Sequence, residues 1–203
     1  MKKALFALLV CPLFAADGPH LFYSKSFPGS APAYVEITLD HAGNAEYKED
    51  PNDDQPLKFQ LGAGDVNEIF GLVDKLGRLN HALESPAKVA FMGMKTFRFE
   101  SGAQKNEVKF NFSEDADARL LQDWFERIAE TEQNLFRLER AVKYDKLGVD
   151  KALLIVHAAF NNKRLVAPQQ LLPLLDRIAK NETFMHMDRE RAAALSDAIR
   201  AGK

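Results

Sequence analysis

The chain has 203 residues, of which 46% are hydrophobic and 28% charged, a composition typical of a folded globular protein and not of a disordered one. Its 27 basic and 29 acidic residues give a net charge of −2 at pH 7. Because the sequence contains no basic run, neither nucleic acid nor an anionic membrane surface is a predicted partner.

The N-terminus has the three parts of a secretory signal peptide. It begins with a lysine pair, continues with an apolar stretch over residues 4–14, and ends with Ala15 and Ala16 before the polar Asp17. This pattern predicts a leader over residues 1–16, cleaved near Ala15 or Ala16, and a periplasmic or secreted mature chain. A membrane-spanning helix needs about 20 apolar residues, so no transmembrane segment is predicted in the mature chain.

Cys11 is the single cysteine and lies inside the predicted leader. If the leader is removed, the mature chain has no disulfide, no thiol nucleophile and no cysteine-ligated metal, and its stability comes from a packed core. The alternative is that Cys11 is acylated, as in a bacterial lipoprotein. Val10 is bulkier than the small residue that usually precedes such a cysteine, so the first interpretation is preferred.

Between residues 21 and 112 apolar and polar side chains alternate with a period of two. This predicts six or seven strands that each bury one face, which is typical of an antiparallel sheet. Turn-forming residues at 28–30, 41–44 and 101–103 favour hairpins. The apolar members of the pattern are Val35, Ile37, Leu39, Leu57, Phe59, Leu61, Ala87, Val89, Phe91, Phe97, Phe99, Val108, Phe110 and Phe112.

One helix interrupts the strands. Asp65 is the predicted cap, with Glu68 as its capping-box partner, and an apolar stripe follows from Val66 to Leu76. The stripe predicts that this helix covers the apolar face of the sheet.

After Ser113 the period becomes helical. With Ser113 as the cap, a helix running to about Lys146 would be about 50 Å long and would bridge the sheet and a helical tail. Three shorter helices are predicted at 152–160, from Pro168 onward, and at 185–199. Within the second of these, Pro173 either kinks the helix or marks its start.

The predicted fold is therefore α+β, with an antiparallel β-sheet and one covering helix, followed by a long helix and a small C-terminal helical cluster. Residues 17–113 form the sheet part and residues 114–203 the helical part, and we expect the two to pack as one unit.

Gly62 and Gly64 lie between a strand and a helix, as in a dinucleotide-binding loop. That fingerprint needs a third glycine, where this chain has Asn67, and a parallel βαβ unit. Glycines of a tight turn are the preferred interpretation.

An acidic loop spans residues 49–54 and could attract calcium. A calcium-binding EF-hand counted from Asp50 needs a glycine and a glutamate where this chain has Gln55 and Leu61. A solvated turn is preferred, and no metal or cofactor is predicted.

Residues 32–37 (Pro-Ala-Tyr-Val-Glu-Ile), followed by Gly43 and Tyr47, resemble the opening hairpin of an exported bacterial family of unknown function. The chain lacks the cysteine that such openings often carry before the proline. The resemblance implies export and an antiparallel start to the sheet, and it implies no activity.

No nucleophile–base set and no histidine pair with metal-binding spacing occurs in the sequence, so no catalytic residue is predicted. The leading hypothesis is a non-catalytic module that binds a protein or envelope component through the solvent face of its sheet. The alternative is a hydrolase of cell-wall or peptide substrates whose residues meet in a deep pocket. The predicted partner surface consists of Glu36, Lys58, Arg98 and Lys109, and the candidate hydrolase residues are His81, Glu84, His157, Asp176 and His186.

Overall fold

The computed structural model describes residues 18–202. The predicted leader, its cleavage positions Ala15 and Ala16, and Cys11 lie outside these residues. The described part contains six strands and five α-helices. They are β1 (His20–Ser26), β2 (Tyr34–Asp40), β3 (Asn44–Lys48), β4 (Leu57–Gln60), α1 (Ala63–Lys75), β5 (Met94–Ser101), β6 (Gln104–Phe110), α2 (Ala116–Tyr144), α3 (Val149–Asn161), α4 (Leu172–Lys180) and α5 (His186–Arg200).

The strands form one antiparallel sheet in the order β4-β3-β2-β1-β5-β6. The first strand lies inside the sheet, where Leu21 is opposite Leu39 of β2 and Phe99 of β5. All three side chains are buried, because alternating residues of each strand point to the same covered face. The structure confirms the predicted α+β fold.

Two helices cover the apolar face of the sheet. Val66, Ile69 and Val73 of α1 belong to the same core cluster as the inward residues of the strands. The N-terminal half of α2 lies beside α1, and the ring of Phe125 stacks on Tyr23 of β1 with 4.9 Å between ring centroids. The predicted covering helix is thus joined by part of the predicted long helix.

The two predicted caps are wrong in position. In α2, the Asp115 carboxylate accepts hydrogen bonds from the backbone N–H groups of Asp117 and Ala118, at 2.8 and 3.0 Å. Ser113 is buried, and its hydroxyl oxygen accepts from the Asp115 N–H at 3.3 Å. In α1, Gly62 precedes the first helical residue and Asp65 lies within the first turn. An aspartate in the first turn of a helix still interacts favourably with the positive N-terminal end of the helix dipole.

The C-terminal half of α2 belongs to a second core cluster. Leu138 of α2 is buried there with Leu153 of α3, Leu175 of α4 and Leu195 of α5. With 29 residues, α2 is about 43 Å long and reaches both clusters. Pro173 lies in the first turn of α4 and so marks the start of that helix. None of the helices within residues 18–202 combines the length and the apolar character needed to cross a bilayer.

The predicted strand over residues 87–91 is wrong. Val89 and Phe91 are 40% and 52% exposed, and the segment is a loop between α1 and β5. The side chain of Asn111 holds this loop, accepting from the Met92 N–H at 2.6 Å and donating to the Ala90 carbonyl at 3.0 Å. The alternating side chains of this segment do not form a buried face. The loop has the hydrogen bonds of the Asn111 side chain in place of those that a neighbouring strand would make.

Candidate functional site

Two lysines lie opposite each other on the covered face of the sheet. Lys25 of β1 is the register partner of Lys95 of β5, two positions beyond the buried pair Tyr23 and Phe97. Like charges directly opposite each other on one face of a sheet destabilise it. Positions where a destabilising pair of this kind brings no evident gain in stability are candidates for a functional role.

Lys25 has a carboxylate partner from the covering helix. Its Nζ donates to Oε1 of Glu126 in α2 at 3.0 Å, and Gln122 donates to the same oxygen at 3.0 Å. Both charged side chains are about one-third exposed. The ion pair therefore lies at the edge of the core, where solvent still reaches it.

Lys95 has no such partner within the described chain. The residue is 2% exposed, and its Nζ donates to the backbone carbonyl of Asn111 at 2.6 Å. Burial lowers the pKa of Lys95 and the neighbouring charge of Lys25 lowers it further, while Glu126 and Glu84 act in the opposite direction. The ammonium group is thus largely removed from water without a counter-charge in contact.

Two cavities flank the Lys25–Glu126 pair, and both residues line both cavities. We call these two cavities together the lysine cleft. The first has a volume of about 280 Å³ and lies between α2 and the ends of β1 and β2. The second has a volume of about 340 Å³ and contains Lys95. Other residues of the first cavity include Tyr23, Phe27, Pro32, Glu130, Gln133 and Arg164, and the second is completed by Met92, Phe112, Arg119, Gln122 and Asp123.

Tyr23 adds a buried polar group to the first cavity. The residue is 1% exposed, and its hydroxyl has no hydrogen-bond partner within residues 18–202. Burial, together with the negative charge of Glu126, raises the pKa of the Tyr23 phenol. Buried hydroxyls normally have a partner, so an unpaired one is an unusual feature in the wall of this cavity.

Each acidic side chain of α2 that lines the cleft forms an ion pair with a basic residue. Arg164, from the segment after α3, donates to Asp123 at 2.6 Å and to Glu130 at 2.9 Å. Asp123 also contacts Arg127 at 3.3 Å. The carboxylates that line the cleft therefore neutralise Lys25, Arg164 and Arg127, and not Lys95.

All four residues of the predicted partner surface lie on the solvent face of the sheet. Glu36 and Lys109 belong to one row across the strands, and Lys58 and Arg98 belong to the next. Each one has an oppositely charged neighbour on the sheet. The pairs are Glu36–Lys48 at 3.0 Å, Lys58–Glu46 at 3.0 Å, Arg98–Glu100 at 3.2 Å and Lys109–Glu107 at 3.2 Å. The surface is brought together, and its role as a partner site stays a prediction.

The five candidate hydrolase residues are not brought together. His81 and Glu84 lie in the loop after α1, where His81 lines a cavity of about 450 Å³ and Glu84 accepts from the Asn111 N–H. His157 is exposed on α3. Asp176 accepts from Ser196 at 2.7 Å, and His186 contacts Glu190 at 3.3 Å on the surface of α5.

The glycine and acidic motifs have local roles. Gly62 and Gly64 are at the junction of β4 and α1, and β4 is antiparallel to β3. In the acidic loop, the Asp50 and Asp53 carboxylates accept from the backbone N–H groups of Asn52 and Gln55, each at 2.9 Å. Across residues 18–202, no three acidic, histidine or cysteine side chains are grouped as metal ligands would be.

Sequence reasoning missed the lysine cleft, although a signal was present. The inward alternation of Leu21 and Tyr23 continues to Lys25, and that of Phe99 and Phe97 continues backward to Lys95. Each strand therefore places a lysine where its pattern predicts an apolar residue.

Comparisons with protein-family models and with curated proteins gave no match.

Proposed function

We propose that the chain is an exported, non-catalytic binding module of the periplasm or cell envelope, and that its ligand binds in the lysine cleft. The observation that carries this proposal is the buried ammonium of Lys95, which lines a cavity and has no carboxylate partner in the described residues. An uncompensated buried charge costs several kcal/mol. A ligand group that contacts Lys95 offsets this cost on binding.

The cleft supports binding better than the solvent face of the sheet does. The charges of Glu36, Lys58, Arg98 and Lys109 are neutralised by neighbours within the sheet. The Lys58–Glu46 and Lys109–Glu107 pairs are exposed, and such pairs contribute little to affinity when they are exchanged for a partner's charges. The Glu36–Lys48 pair is less exposed, and its charges are already compensated within the sheet. The Lys95 ammonium, by contrast, donates to the Asn111 carbonyl and has further N–H donors that a ligand in the cleft can use.

The separation of the candidate hydrolase residues also supports a binding role. A hydrolytic site needs a nucleophile or water, a base and an orienting group within hydrogen-bond reach of one another. The contacts of the candidates go to other residues: Glu84 bonds the Asn111 backbone, Asp176 bonds Ser196 and Arg200, and His186 contacts Glu190.

Backbone amide chemical shifts test the position of the binding site. The ¹⁵N-labelled protein is titrated with a soluble envelope extract, separated beforehand into small molecules and macromolecules. We expect the small-molecule fraction to shift the amide signals around Lys25, Lys95 and Glu126. Lys25 and Glu126 line both cavities, and Lys95 lines the second.

Two results would contradict the proposal. Shifts confined to the strands that carry Glu36, Lys58, Arg98 and Lys109 would assign binding to the solvent face of the sheet. An absence of shifts with either fraction would argue against a binding module of the envelope.

N-terminal sequencing of the protein from a periplasmic fraction tests export. The proposal predicts a mature chain that begins at Ala16 or Asp17. A chain recovered from the cytoplasm with Met1 still attached would overturn it.

A further inference from the structure

We infer that the ligand of the lysine cleft is a small organic anion with an apolar body, and that its acidic head binds Lys95 and Arg119. This inference rests on the proposed function, since it names the chemistry of a ligand at the same site. It places the ligand in the second cavity, the one that contains Lys95.

The charges around the second cavity favour an anion. Its walls hold three cations, Lys25, Lys95 and Arg119, and two carboxylates, Asp123 and Glu126. Glu126 is paired with Lys25, and Asp123 is paired with Arg164. Lys95 and Arg119 are left without an ion pair among the described residues, so the cavity has an uncompensated positive charge.

Lys95 has hydrogen-bonding capacity for the head group of such an anion. An ammonium carries three N–H donors, and that of Lys95 uses one on the Asn111 carbonyl at 2.6 Å. The exposed Arg119 brings a guanidinium, whose donors fit a carboxylate or a phosphate in a two-pronged geometry. A charge-assisted bond to a buried ammonium is among the stronger polar contacts a ligand can make.

The remaining walls and the neighbouring loop favour an apolar body. Met92 and Phe112 line the second cavity. On the same loop, the ring of Phe91 packs edge-on against Phe27 of the first cavity, with 5.8 Å between centroids, and Phe91 remains 52% exposed. Met92 and Met94 are 41% and 39% exposed. Exposed apolar side chains grouped beside a cavity are typical of a ligand-binding edge.

The volume limits the size of the body. About 340 Å³ is near the lower end of the range for small-molecule pockets. A linear acid with about eight carbons is a suitable probe for a pocket of this class. Carboxylate and phosphate heads share the required charge and acceptor oxygens, so the experiment compares both.

Isothermal titration calorimetry with four octyl compounds tests the inference. Octanoate and octyl phosphate carry the anionic heads, 1-octanol is neutral, and octylammonium is cationic. We expect at least one of the two anions to bind. The affinity of 1-octanol should be lower than that of this anion by a factor of about ten or more, and octylammonium should not bind. Loss of a charge-assisted hydrogen bond accounts for a factor of about ten.

Variants locate the head group. Lys95→Met keeps the length of the side chain and removes its charge, and we expect it to weaken binding of the preferred anion about tenfold or more. Arg119→Gln should weaken it by a smaller factor, because Arg119 is exposed. Lys105→Met, an exposed lysine of β6 on the opposite face of the sheet, is the matched control and should bind as the wild type does. A thermal melt of each variant checks that it is folded.

The outcomes separate this inference from the proposed function. Three results would overturn the inference that the ligand is an anion and would leave the cleft as a binding site. They are equal binding of 1-octanol, preference for octylammonium, and unchanged binding by a folded Lys95→Met variant. Failure of all four compounds, with cleft amides still shifted by the envelope extract, would also overturn only the anion. Failure of the four compounds together with unshifted cleft amides would overturn both.

Discussion

Glu132 of α2 is a carboxyl group buried outside the lysine cleft. The residue is 1% exposed, and its Oε1 accepts a hydrogen bond from the side-chain amide of Gln170 at 2.8 Å. Burial raises the pKa of Glu132 from 4.5 to about 7, although the Gln170 hydrogen bond acts in the opposite direction. The folded state therefore binds a proton that the unfolded state has released between about pH 4.5 and pH 7.

Glu132→Gln should remove this pH dependence. In the wild type, the contribution of Glu132 to the free energy of unfolding falls as the pH rises through this window, by up to about 3 kcal/mol. Glutamine mimics the protonated acid, so the variant should exceed the wild type in stability above the window and match it below. Urea unfolding across the pH range measures the difference, with the exposed Glu182→Gln as the control. A difference that does not change with pH would contradict the pKa of Glu132.

Lys95→Met should stabilise the free protein. Removing a buried charge that has no ion-pair partner relieves a desolvation cost, and we expect a gain of about 1 kcal/mol or more near neutral pH. Because the folded pKa of Lys95 is below its unfolded value, the wild type regains stability as the pH rises toward 10.5.

The gain should therefore shrink at alkaline pH. Urea unfolding near neutral pH and at about pH 10 measures the trend, and Lys109→Met should show neither the gain nor the trend. A destabilised Lys95→Met variant at neutral pH would mean that the ammonium is well compensated in the free chain.

At the scale of elements, the start of α2 depends on one side chain. The Asp115 carboxylate satisfies two of the backbone N–H groups that a helix leaves free at its N-terminus. Asp115→Ala should lower the free energy of unfolding by about 1 kcal/mol. The neighbouring Glu114→Ala, an exposed residue, should change it by a few tenths of a kcal/mol. Equal effects of the two variants, measured by urea unfolding, would contradict the assignment of the cap.

The segment after α3 is attached to α2 through Thr131. Its buried hydroxyl donates to the Arg127 carbonyl at 2.8 Å and accepts from the Val166 N–H at 3.0 Å. Thr131→Val leaves the Val166 N–H without a partner and should cost about 1–3 kcal/mol. Thr131→Ser keeps the hydroxyl and should cost less. Thermal or urea unfolding compares the two, and a valine variant as stable as the serine variant would show that water replaces the bond.

The sequence predicted elements well where burial and pattern agree. The apolar stripes of α1 and α2 and the alternation of β2, β5 and β6 correspond to buried faces in the structure. The prediction failed at residues 87–91, because the loop there is held by the side chain of Asn111 and not by a strand. The prediction also placed the cap of α2 at Ser113, two residues before the observed cap Asp115. Both are suitable cap residues, and only the structure distinguishes them.

At the scale of the whole molecule, α2 belongs to both core clusters. Its first half packs with the sheet and α1, and its second half packs with α3, α4 and α5. The change of pattern near Ser113 predicted one long helix followed by shorter ones, and the structure has these helices. The lysine cleft was not predictable in the same way, because Lys25 and Lys95 are far apart in sequence and meet only when β1 pairs with β5.

A crystal structure of the purified protein with a bromine-labelled octyl anion tests the lysine cleft most directly, since bromine gives an anomalous signal that locates the ligand. The ligand is 8-bromooctanoate or 8-bromooctyl phosphate, whichever head group binds more tightly in calorimetry. We expect a bromine peak beside Met92 and Phe112 and the acidic head in contact with the Lys95 ammonium. A peak on the solvent face of the sheet, or an acidic head bound away from Lys95, would contradict this assignment.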